Sequence, residues 1–208
     1  MIYALALHTT TPQLGIAIDN FVGDSRSQIW DLGRDLSSHL HQYLQEIIQP
    51  QTWQDLKFIA VAKGPGGFTG TRIGVVTART LAQQLQIPLF GISTLAAIAQ
   101  SHKSIDNINP TNLIAVEMPA RREELFVGIY EISADGSNLV TYLPDSLMDR
   151  ALWTKSLTEI DRPYQLVRAG DFLAHTVNQI LELAYLEWQQ NKFSQWQEVV
   201  PFYGQQPV

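Results

Sequence analysis

The densest group of residues able to do chemistry is Gly64-Pro65-Gly66-Gly67-Phe68-Thr69-Gly70, followed directly by Thr71 and Arg72. A strand, a glycine loop and a helix in that order let backbone amides approach an anion, so a phosphate cradle is one reading. The phosphate fingerprints are missing, however. A P-loop needs Gly-Lys before Ser or Thr, and the residues here are Gly70-Thr71-Arg72; a dinucleotide turn begun at Gly64 needs glycine where Thr69 stands. Spacing alone favours a tight structural turn that uses glycine for its positive φ. The remaining reactive side chains are scattered. His8, His39, His41, His102 and His175 make no H-E-x-x-H pair, and His39 and His41, two apart, point to different sides of a helix. No G-x-S-x-G elbow surrounds a serine. Glu123 and Glu124 are adjacent, and neighbours on a strand face opposite ways, which favours a solvated charge pair over an acid and base. No catalytic residue and no metal ligand is assigned.

The elements that must hold this loop are readable in outline. Ile2 to Leu7 is continuously apolar, as in a strand buried on both faces. His8-Thr9-Thr10-Thr11-Pro12-Gln13 reads as a turn, Leu14 to Ile18 as the returning strand and Gln28 to Leu32 as a third. From Arg34 to Gln49 the residues Leu36, Leu40, Tyr43, Leu44, Ile47 and Ile48 form one helical stripe, ended by Pro50. Lys57 to Lys63 is a strand running into the glycine loop, and a second helix follows over about Thr71 to Gln86. On that helix Gly74, Ala78 and Ala82 repeat at four-residue spacing. Small residues there permit close approach of another backbone, either this protein's own sheet or a partner's helix.

Pro88 to Ile92 is a further strand, and Ser93 can cap a helix to about Ser101. The polar stretch Ser101 to Asn112 is the expected boundary between two lobes. Strands are expected near Leu113 to Glu117, Leu125 to Ile132 and Leu139 to Leu143, a short helix over Asp149 to Leu157 and a strand over Tyr164 to Arg168. Asp171 stands where an N-cap belongs, ahead of a long helix with the stripe Leu173, Val177, Ile180, Ala184 and Trp188. The tail from Pro201 is expected to be extended, and no sequence repeat has a fixed period.

Composition narrows the classes. The chain has 208 residues, 45% of them hydrophobic and 16% charged, and no cysteine. Disulfide scaffolds, thiolate metal sites and cysteine nucleophiles are thereby excluded. The net charge is −6, and the one adjacent basic pair, Arg121-Arg122, runs straight into Glu123-Glu124, so nucleic acid is expected to be held mostly by a partner. Nothing reads as a targeting or membrane segment, which leaves a cytoplasmic setting as the expectation.

The run Gly64-Pro65-Gly66-Gly67-Phe68-Thr69-Gly70-Thr71-Arg72-Ile73-Gly74 closely resembles the signature loop, usually G-P-G-S-F-T-G-x-R-I-G, of the bacterial tRNA threonylcarbamoyladenosine biosynthesis family TsaB, also called YeaZ. The resemblance continues through Gly91-Ile92-Ser93-Thr94-Leu95, Ala120-Arg121-Arg122-Glu123-Glu124-Leu125-Phe126 and Pro201-Phe202-Tyr203 with Pro207. It implies an α/β, two-lobed actin-like or Hsp70-like (ribonuclease H-like) fold with mixed sheets flanked by helices and a reduced second lobe, here residues 1–108 and 109–208. It further implies a non-catalytic subunit that pairs with a TsaD-type catalytic homologue and works with a TsaE-type ATPase to place threonylcarbamoyl on N6 of adenosine 37 in tRNA. The partner would make most of the tRNA contact, and a homodimer is expected in isolation. The resemblance puts the interface on Leu36, Leu40, Tyr43, Leu44, Ile47, Gly74, Ala78 and Ala82. No cofactor is expected on the chain alone, with ATP or ADP and Mg entering only in the assembly. The alternative is an actin-like nucleotide-hydrolysing enzyme. Two departures bear on that choice: His8 stands where relatives carry the aspartate that organises metal and water, and Gly67 replaces a serine.

Overall fold

Strand alternation fixes two faces for the first sheet. Leu5, Leu7, Leu14, Ile16, Ile18, Ile59 and Val61 share one hydrophobic cluster with helix residues Leu36, Leu40, Leu44, Val75 and Ala78. The residues between them, among them Gly15 and Phe58, meet Ala174, Val177 and Trp188 instead. The computed structural model describes residues 2–105, 113–133, 138–193 and 195–204.

The chain divides into two compact units, Met1–Thr94 with Asp171–Phe202, and Leu95–Gly170 with Tyr203–Val208. This division differs from the expected cut at 108/109, which itself lies outside the described residues. The physical reason is the last helix, whose apolar stripe completes the first unit rather than the second.

In the first unit, β1 (Tyr3–His8), β2 (Gln13–Asp19) and β3 (Ser25–Asp31) form an antiparallel meander, and β4 (Leu56–Ala62) and β5 (Leu89–Ile92) add in parallel, giving the order β3-β2-β1-β4-β5. Helix α1 (Leu36–Ile47) makes the β3 to β4 crossover and α2 (Phe68–Leu85) the β4 to β5 crossover. On α1 the stripe Leu36, Leu40, Leu44 and Ile47 is buried, each side chain contributing about 2 kcal/mol by leaving water. Helix α5 (Val177–Gln189) covers the opposite face. Phe58 and Phe90 meet edge to face there, with Trp188 stacked on Phe58. Asp171 is not the cap of α5: a 3₁₀ turn, Ala174–Thr176, intervenes, and Thr176 holds the cap position.

The second unit repeats this plan. Here α3 (Thr94–Ile105) leads to β6 (Leu113–Pro119), β7 (Glu124–Ile132) and β8 (Leu139–Asp149), another antiparallel meander; α4 (Arg150–Thr158) crosses to β9 (Tyr164–Arg168), parallel to β6. The order β8-β7-β6-β9 is that of the first sheet without its fifth strand. Both units thus share an α/β plan of a mixed sheet flanked by helices, and the second is reduced. Strand β8 runs six residues past the expected Leu143. It lies at the sheet edge with a register shift opposite Val127 and Ile129, so the missing amide of Pro144 is tolerated. Among the described residues no helix is long and apolar enough to cross a membrane.

Candidate functional site

The glycine loop closes on the turn that follows β1. The amide of Gly67 donates to the carbonyl oxygen of Thr10 at 2.7 Å, and the hydroxyl of Thr9 donates to the carbonyl oxygen of Gly70 at 2.8 Å. A Cβ built on Gly66 would lie 2.3 Å from the oxygen of Thr10, one on Gly70 2.2 Å from the oxygen of Thr9, and one on Gly74 2.1 Å from Thr9 Oγ1. Three glycines at four-residue spacing therefore bring the loop and the start of α2 onto the protein's own backbone.

Gly64 has φ +107°, and a Cβ there would meet the carbonyl oxygen of Phe202 at 2.5 Å. The tail is laced to the same place, with the Phe202 amide on the Lys63 oxygen at 2.7 Å and the Thr94 amide on the Gly64 oxygen at 2.8 Å. The loop is packed on three sides by Thr9 and Thr10, Thr94 and Phe202. Pro65 is buried with it, and Thr71 returns its hydroxyl to the Gly67 oxygen at 2.8 Å. Only Gly67, Phe68, Thr69 and Arg72 reach solvent fully, and the Arg72 guanidinium lies 5.3 Å over the Phe68 ring.

His8, at the end of β1, is completely buried, and neither ring nitrogen has a hydrogen-bond partner; Thr11 Oγ1 in the same turn is likewise buried without one. Burial, with a smaller contribution from the nearby His175, pushes the imidazole from its ordinary value of 6.5 down to about 3. Gly15 pairs with His8 across the hairpin and lets Ala174 settle on this part of the sheet. A neutral imidazole in that position cannot replace the charge of an aspartate. Among the described residues no three His, Cys, Asp or Glu side chains group closely enough to hold a metal ion.

The residues expected at a partner interface occupy the core instead. Leu36, Leu40, Leu44, Ile47, Ala78 and Ala82 are at most 8% exposed, Gly74 is buried against Thr9, and Tyr43 is half-buried, stacked on Trp30 at 4.3 Å. They hold α1 and α2 down on the sheet. The outward face carries different side chains: Phe68 and Val76, 49% and 58% exposed, with Thr69, Arg72 and Thr80 on α2, and Ser37, His41 and Gln45 on α1. Thr9 and Thr10, which no motif marks in the sequence, are the partners of the loop. Their signal was the continuation of the Gly74 stripe backwards through Gly70 and Gly66.

Comparison with known proteins agrees with this architecture. A family model described as TsaD, tRNA N6-adenosine threonylcarbamoyltransferase, matches residues 32–151, more than half of the chain. The tRNA threonylcarbamoyladenosine biosynthesis protein TsaB of Bacillus subtilis is 40% identical over 110 residues, 53% of this chain and 45% of that protein. The Escherichia coli protein of the same name is 28% identical over 134 residues, 64% of this chain and 56% of its own length. The chain thus spans about half the length of the curated relatives it matches. The solved structure of YeaZ from Pseudomonas aeruginosa superposes with a TM-score of 0.79 at 23% identity, covering 98% of this chain and all of that one, and so shares the fold. The chain belongs to the TsaD tRNA N6-adenosine threonylcarbamoyltransferase family, with the TsaB (YeaZ) proteins as its relatives there.

Proposed function

We propose that this chain works in the formation of threonylcarbamoyladenosine in tRNA as a non-catalytic docking subunit, pairing with a TsaD-type catalytic homologue alongside a TsaE-type ATPase. Family membership and the names of the relatives support the pathway. The observation that carries the docking role is the closed loop: Gly66, Gly70 and Gly74 spend their missing side chains on contact with Thr9 and Thr10 rather than on a ligand.

The docking face is the outer surface of α1 and α2. Phe68 and Val76 are large apolar side chains about half exposed; on the same face Ser37, His41, Gln45, Thr69 and Thr80 carry no formal charge, and the one charge named there, Arg72, lies over the Phe68 ring. In isolation a second copy takes this face. Nucleotide and Mg belong to the assembled complex, and the partner makes most of the tRNA contact, in keeping with a net charge of −6 here.

The test is reconstitution. Purified chain should form no modified tRNA by itself, should co-purify with the TsaD-type homologue with and without ATP, and should restore activity to the other subunits. Full activity of those subunits without it would sink the reading. Calorimetry with ATP and Mg addresses the hydrolase alternative; tight binding with turnover by the isolated chain would put that alternative first.

A further inference from the structure

Strands β6, β8 and β9 run in one direction, because β7 is antiparallel to both β6 and β8 while β9 is parallel to β6. Their C-terminal ends therefore share one rim of the second sheet. Arg121 and Arg122 lie in the β6 to β7 turn on that rim, Arg150 directly follows β8, and Arg168 is the last residue of β9. Register sets them abreast: Glu124 stands opposite Asp149, and Glu117 opposite Arg168. Four of the nine arginines of an acidic chain are thus gathered by three separate connections.

Two of the four stand where local structure argues against them. Arg122 and Glu123 have φ 57° and 61°, the paired left-handed positions of a two-residue hairpin turn that favours Asn-Gly. Arg150 opens α4, where a cation opposes the helix dipole. Arg121, Arg122 and Arg150 are exposed, and among the described residues none of these three guanidiniums has a hydrogen bond or ion pair that recovers the cost. Four carboxylates share the rim with them: Glu117 accepts from Trp153 Nε1 at 2.7 Å and from Arg168 Nε at 2.9 Å, Asp149 caps α4 through the Leu152 amide at 2.7 Å, Glu124 is engaged as well, and Glu123 stands exposed in the turn beside Arg122.

Local strain and unpaired charge at one place imply an external anion. We propose that this arginine rim contacts RNA, taking backbone phosphates of the tRNA whose modification the chain supports. Guanidinium forks match phosphate oxygens bidentately, and such contacts set orientation without reading sequence. The choice of RNA rests on the proposed function; an acidic protein segment is the competing occupant.

The experiment is fluorescence anisotropy of a labelled tRNA anticodon stem-loop titrated with the full chain at about 20 mM salt, where few contacts still give measurable binding. Wild-type chain should bind saturably. Arg121→Gln with Arg122→Gln should weaken binding at least tenfold and flatten the plot of log K against log salt by about 1.5. Lys57→Gln with Lys155→Gln, the same loss of charge away from the rim, should change it less than twofold. If the arginine double variant loses its circular dichroism, Arg150→Gln decides, with an expected drop of about threefold. No saturable binding by wild type, equal weakening by the lysine control, or equal displacement by polyglutamate would overturn the proposal, the last by reassigning the rim to an acidic protein. The assay involves no modification reaction. Arginine-dependent binding by a chain that proves dispensable for modification would leave the rim standing and remove the proposed function.

Discussion

Gly74 and Thr9 occupy each other's space: a methyl group on Gly74 would stand 2.1 Å from Thr9 Oγ1, the atom that donates to the Gly70 carbonyl oxygen at 2.8 Å. Gly74→Ala should therefore destabilise the protein by about 2 kcal/mol, through overpacking and loss of that bond. In a Thr9→Ala background the same change should cost less than half as much, since only the 3.2 Å contact with the Cβ of residue 9 remains and alanine is the better helix former. Urea denaturation of the four proteins in this cycle measures the coupling. Equal effects in both backgrounds would refute the contact.

His8 predicts an acid limit. Its folded-state value lies near 3 against an ordinary 6.5, so the unfolded chain binds the proton more readily, and stability rises with pH between those values. The contribution is complete above about pH 6.5 and is lost as pH falls towards 3, in total of order 5 kcal/mol. Urea midpoints from pH 8 to pH 4 should decline in wild type and decline distinctly less in His8→Leu. Parallel curves would show that the buried imidazole is not the cause.

Position 76 separates docking from folding, and position 78 does not. Val76 is 58% exposed and Ala78 fully buried. Val76→Glu should abolish association on size-exclusion chromatography while changing stability by less than about 0.5 kcal/mol. Ala78→Arg should unfold the protein, because an arginine cannot enter the helix-sheet contact. A monomeric, folded Ala78→Arg would return the small-residue stripe to the interface.

Glu117 tethers a core ring. Trp153 is 2% exposed and donates Nε1 to Glu117 Oε2 at 2.7 Å. Glu117→Ala leaves that N–H buried without an acceptor and should cost about 2 kcal/mol, whereas Glu117→Gln keeps an acceptor and should cost less than half as much. Guanidinium chloride midpoints of the two variants provide the check.

Elements whose burial is local were legible in the sequence. The stripe of α1, the apolar run of β1 and the strand Tyr164–Arg168 follow from the residues themselves. The helix after the glycine loop was placed from about Thr71, but α2 begins at Phe68, since contact with Thr9 permits Gly70 inside the helix. Strand β8 is expected only over Leu139 to Leu143 yet runs on through Pro144 to Asp149, because a missing amide is tolerated at a sheet edge, and edge position is a tertiary fact. The same holds for Gly74, Ala78 and Ala82: spacing announces close approach without naming what approaches. Nor does the repeat of strand order between the sheets show in sequence, since each unit reproduces directions and crossovers rather than residue types.

The return of α5 to the first sheet has a consequence for biosynthesis. Strands β1 to β5 are complete by Ile92, yet the face bearing Gly15, Phe58 and Phe90 stays bare until Val177–Gln189 leaves the ribosome. The first sheet must wait for a helix made after the whole of β6 to β9, exposing aromatic surface to chaperones in the interval. A nonsense codon between Ile92 and Asp171 therefore yields a first sheet with one face uncovered.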